Sequence, residues 1–167
     1  MNVSFHVDFM KDLEGAIEIA LGIIPDKRLK RFITLDNRKR FLDTLNENRF
    51  DYDKVKFPLS IDIKYKPIFE SNKKILLKAK GEIEKKWSGI ENKFFGKLDK
   101  IFGKTQENLR IRCYIIYSYE NVAGVSNDKL YFKVGYKVSD IQTIAHEIIH
   151  IYLNRFQKSS INYLKLS

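Results

Sequence analysis

Three histidines occur in this 167-residue chain, and two of them stand four positions apart with a glutamate directly after the first: His146-Glu147-Ile148-Ile149-His150. On a helix, residues at i and i+4 share one side, a turn apart. Two imidazoles so placed reach one tetrahedral ion at about 2.0–2.1 Å, and zinc is the ion that suits such donors best. Glu147 is rotated about 100° around the helix from His146. There it can address a metal-activated water as a general base without being a ligand itself. The metal lowers the water's pKa toward neutrality, and the carboxylate takes the proton during attack. With so few histidines, a chance match to this spacing has a probability of about 0.3%. The pattern therefore points to Zn2+-dependent hydrolysis, with His146 and His150 as ligands.

These side chains need a helix beneath them, and the flanking residues supply one. Ser139 followed by Gln142 matches a capping box. Ile141, Ala145, Ile148, Ile149 and Tyr152 form its apolar face. Upstream, Leu76, Ala79, Ile83, Trp87, Ile90, Phe94, Leu98 and Ile101 step by three and four, the stripe of an amphipathic helix. Gly103 marks its end, and Ser88-Gly89 allows one long helix or two shorter ones. Leu109 to Tyr117 and Leu130 to Val134 alternate as strands, with Gly124 and Asn127-Asp128 as turn residues between them. Nearer the start, Val3, Phe5, Val7 and Phe9 alternate as a strand. A helix over about 11–24 closed by Pro25 follows, then a basic helical stretch over about 26–48. Ile61 and Ile63, with Pro58 and Pro67 at the margins, read as another strand.

Residues from about 72 to 155 resemble the upper lobe of a gluzincin-type zinc metallopeptidase, in which a long helix and a small twisted sheet precede the active-site helix. The resemblance implies an α+β, zincin-like fold and a peptide or protein substrate. It assigns His146 and His150 as zinc ligands and Glu147 as catalytic base. It also implies that the last strand before the active-site helix, about 129–134 here, is the edge on which an extended substrate pairs. The chain departs from the pattern in its third ligand, usually a downstream Glu. Ile151 to Ser167 contain no Asp, Glu, His or Cys, and Phe156 stands where a third histidine would fall in the extended motif. That ligand is expected from residues beyond Ser167 or from another chain. His6, Glu120 and Asp128 are minor candidates within the chain, and Tyr136 and Tyr152 are candidate oxyanion donors.

Composition bounds the alternatives. At 44% hydrophobic and 13% aromatic the chain can bury one core. A single α+β domain over 1–167 is expected, with 1–58 as an N-terminal portion and 59–167 as the metallopeptidase-like portion. No apolar run approaches the roughly 18–20 residues of a membrane span, and no secretory signal is visible at the start. The lone Cys113 cannot form an intramolecular disulfide and sits on an apolar strand pattern. A cytoplasmic home fits best. The net charge of +10 is mostly lysine and reads first as solvated helix faces. Its densest stretch, 26–40, carries seven positive and two negative residues. That keeps open a basic, non-catalytic binding module for nucleic acid or protein, or a metal-assisted nuclease.

Overall fold

The computed structural model describes residues 1–20, 59–102, 109–125, 130–138 and 140–164. The basic stretch 26–48, Pro25, Gly103, Asn127, Asp128 and Ser139 lie outside the described residues. The fold is α+β. Its described elements run β1 (Asn2–His6), α1 (Phe9–Ala20), α2 (Leu59–Ser88), α3 (Glu91–Phe102), β2 (Arg110–Ile116), β3 (Ala123–Val125), β4 (Tyr131–Gly135) and α4 (Ile141–Leu164).

The strands form one mixed sheet in the order β1-β2-β4-β3. β1 and β4 both pair parallel to β2, Val3 opposite Ile111 and Phe132 opposite Cys113. β3 is antiparallel to β4. Parallel strands are normally covered on both faces, and β4 is buried at every position. One face carries Val3, Phe5, Ile111, Cys113, Ile115, Phe132 and Val134, all buried. α4 lies on that side, and α2 packs beside it against β1 and β2. α1 covers the other face. Residues 2–20 thus belong to the same layered unit as residues 109–135.

Three expectations about these elements are corrected. Ile61 and Ile63 lie inside helix α2 rather than in a strand, and α2 runs on through Pro67. Proline inside a helix costs about 3 kcal/mol. Here Tyr65 and Phe69, buried on either side of it, pack on Phe9 of α1 at 6.4 and 5.5 Å between ring centroids. The stripe extends backwards from Leu76 through those two aromatics, and that packing offsets the proline. The helix breaks at Gly89-Ile90, where the Ile90 N–H donates to the Trp87 carbonyl at 2.9 Å. The break shifts the helical phase, so Phe95 and Leu98 are buried while Ile101, expected on the stripe, is 70% exposed. Gly124 sits in strand β3 rather than in a turn.

Two contacts hold the frame around β1 and α1. Asp8 caps α1, its Oδ1 accepting from the Lys11 N–H at 3.0 Å. Glu91 Oε1 accepts both from the Val3 N–H, at 2.7 Å, and from the Trp87 indole N–H, at 2.9 Å. One carboxylate oxygen thereby joins α2, α3 and the outer edge of β1.

Candidate metal centre

Helix α4 is capped at Asp140; Ser139 of the expected capping box lies outside the described residues. The Gln142 N–H donates to Asp140 Oδ1 at 2.9 Å and the Thr143 hydroxyl to Asp140 Oδ2 at 3.5 Å. A carboxylate suits the N-terminal position twice over, as an acceptor and as a charge opposing the helix dipole. Ile144, Ile148, Ile151 and Tyr152 form the buried stripe of α4. They fix the rotation of the helix and turn His146 and His150 outward, both exposed.

The two imidazoles converge. Their ring centroids are 4.5 Å apart with the planes at 85°, and Nε2 of one lies 2.9 Å from Nε2 of the other. An Nε2–H on one ring donates to Nε2 of the other, the direction being set by the tautomers. Two Zn–N bonds meeting at the tetrahedral angle need their nitrogens about 3.3 Å apart. Opening the gap by a few tenths of an ångström, within reach of a small ring rotation, would let both nitrogens meet one ion. The donor set therefore fits zinc.

Glu147 is buried, 8% exposed, on the edge of the apolar stripe. Burial pushes its carboxyl above the usual carboxylate range, and the electrostatic influence of neighbouring His146 and His150 partly opposes the rise. The Cys113 thiol of β2 is pushed well up by complete burial and further by the Glu147 charge. A carboxylate made more basic by desolvation is a stronger proton acceptor.

The remaining candidates are not drawn to this pair. His6 is on β1, at the edge of the sheet away from β3, with its Nε2 2.9 Å from Ser4 Oγ and its ring 5.5 Å from Tyr114. Glu120 accepts from Lys137 Nζ at 2.9 Å. Tyr136 stacks on Tyr117 at 5.2 Å and points its hydroxyl to Glu120 at 3.5 Å. The Tyr152 hydroxyl donates to Asp99 Oδ1 at 3.2 Å and its ring packs on Phe102, which makes it a tie between α4 and α3. Asp128 lies outside the described residues. Among the described residues no group of three or more His, Cys, Asp or Glu forms a metal site.

The substrate-edge expectation is also corrected. β4, the last strand before α4, pairs on both sides and is internal. The edge next to it is β3, antiparallel and in contact with α4. Sequence order misplaces it because Ala123–Val125 is only three residues long and too short to alternate visibly.

A second polar cluster went unnoticed in the sequence. Lys133, buried on β4, pairs with Glu18 at 2.8 Å and Glu14 at 3.4 Å, and Glu14 also takes Lys11 at 2.7 Å. The Tyr119 hydroxyl donates to Glu18. A lysine between Phe132 and Val134 and two glutamates one turn apart, on a helix that also carries Lys11 and Asp12, were its only signals. The cluster binds α1 to the sheet on the face away from α4.

No helix among the described residues is long and apolar enough to cross a membrane. Comparison with protein families, curated proteins and solved structures found no match for the chain.

Proposed function

We propose that this protein is a zinc-dependent hydrolase of zincin-like architecture acting on peptide substrates. The observation that carries this reading is the convergence of His146 and His150, 2.9 Å apart at Nε2, with buried Glu147 beside them. His146 and His150 would hold the ion. Zinc bound there supplies Lewis acidity and lowers the pKa of water. Glu147 accepts the proton of the attacking water and returns it to the departing amine. Among the described residues β3 is the edge strand of the sheet beside α4, a place where an extended peptide can pair, which favours a peptide over a compact substrate.

The test pairs two variants on zinc-loaded protein with a mixed peptide library. Glu147→Gln should retain zinc and lose hydrolysis, because the amide is nearly isosteric but takes no proton at neutral pH. His146→Ala/His150→Ala should lose both. Near-normal turnover by the Gln variant would remove Glu147 as the base, and equal zinc in wild type and the double variant would remove the site. The rival reading, a basic non-catalytic binding module, draws on the charge of +10 and on the two-donor site. It gains if zinc-loaded protein cleaves nothing yet binds nucleic acid with an affinity that falls steeply with salt.

A further inference from the structure

We propose that a second copy of this chain completes the metal centre, one zinc ion being held by His146 and His150 of both copies across a two-fold axis. This rests on the metal half of the reading above. Zinc in a closed structural site takes four donors. The described chain brings two, on the side of α4 that faces solvent, and no third donor joins them among the described residues. A two-fold axis doubles any set of ligands, and twice two fills the shell.

Charge argues independently for the same face. Two copies each carrying +10 repel, and close approach needs a surface free of cations. From Val138 to Asn154 there is no lysine or arginine, in a chain that contains 31. The side chains within a turn of the histidines on α4 include Gln142, Thr143, Ile149, Leu153 and Asn154, all uncharged. Ile149, Leu153 and Asn154 are half-buried, leaving a low, mildly apolar margin around the imidazoles.

The closed four-histidine ion has no position left for water, so the dimer is a latent form and the monomer the hydrolytic one. Stoichiometry then controls assembly. At half an equivalent of zinc each ion is shared; with zinc in excess each chain holds its own ion and the pairs separate.

Sedimentation with zinc chloride titrated from none to several equivalents tests this on the full chain. The expected record is a doubling of mass near half an equivalent, reversal in excess, and no doubling for His150→Ala, whose exposed side chain leaves the fold intact. A monomer at every ratio that still binds one zinc through the two histidines overturns the second copy and leaves the metal site standing. Absence of zinc binding overturns both. A dimer that forms without zinc, or persists in His146→Ala/His150→Ala, overturns the shared ion.

Discussion

Replacing Asp12 by asparagine tests how burial acts on the carboxylate that joins α1 to the end of β2. Asp12 is fully buried. Its Oδ1 accepts from the Tyr117 N–H at 2.8 Å, the Ser118 N–H at 3.0 Å and the Ser118 hydroxyl at 3.1 Å. Desolvation raises its pKa from 3.8 to about 6, although the hydrogen bonds from Ser118 and Tyr117 pull the other way. The sign follows from linkage. A folded-state pKa above the unfolded value means that protonation favours folding. The contribution is full below pH 3.8 and is lost as pH climbs through about 6. A rise of about two pH units is worth about 3 kcal/mol. Asparagine keeps an oxygen for the three donors and has nothing to titrate. Urea unfolding of both proteins at pH 7.5 and pH 4 isolates the effect, because the difference between them cancels the other carboxylates, including Glu14, which burial also raises. Wild type should gain about 2.5 kcal/mol on the variant between the two pH values, because at pH 4 the unfolded carboxyl is only partly protonated. A difference that does not change with pH refutes the account. Asp12→Ala, by contrast, should lose stability at both, since it strands the Tyr117 and Ser118 N–H donors at about 1–3 kcal/mol each, while the Ser118 hydroxyl keeps the residue-12 carbonyl at 3.2 Å.

Gly135→Ala should cost about 1–3 kcal/mol in thermal unfolding. A Cβ there collides with the Glu120 carbonyl, at a residue already held at φ 50°. Lys133→Met should destabilise by about 3–5 kcal/mol in denaturant titration, because it leaves Glu18 and Glu14 buried with less counter-charge. Chelation of zinc-loaded protein should strip the metal and leave the thermal midpoint nearly unchanged, since both histidines are exposed and the core lies elsewhere. A large fall in the midpoint would make the ion part of the fold.

Where one residue faces one way for a local reason, the sequence was legible. The alternation at Val3 and Phe5, at Ile111, Cys113 and Ile115, and at Phe132 and Val134 marks strands because each apolar side chain enters the core. The His146–His150 spacing marks a shared helix side for equally local reasons. What escaped depends on partners distant in sequence. Pro67 looks like a boundary until Tyr65 and Phe69 meet Phe9. The phase shift after Gly89 exposes Ile101 although its spacing fits the stripe. β3 becomes the edge only through its pairing with β4. The inward position of Glu147 follows from the rotation of α4 on the sheet, which the five-residue motif does not carry.

The pairing of β1 with β2 has a consequence for how the molecule is made. Ser4 reaches the Ile111 carbonyl across a separation of 107 residues, and Asp12 reaches Ser118 across 106. Strand and helix at the start of the chain therefore have no sheet to join until β2 has been synthesised. At about 5–20 residues per second the first strand waits roughly 5–20 s on the ribosome with Val3 and Phe5 unprotected. Its sheet closes late and across a long loop, the topology that folds slowly. The early segment is then the part most exposed to chaperones, and its capture by β2 is the step at which the two faces of the sheet become distinct.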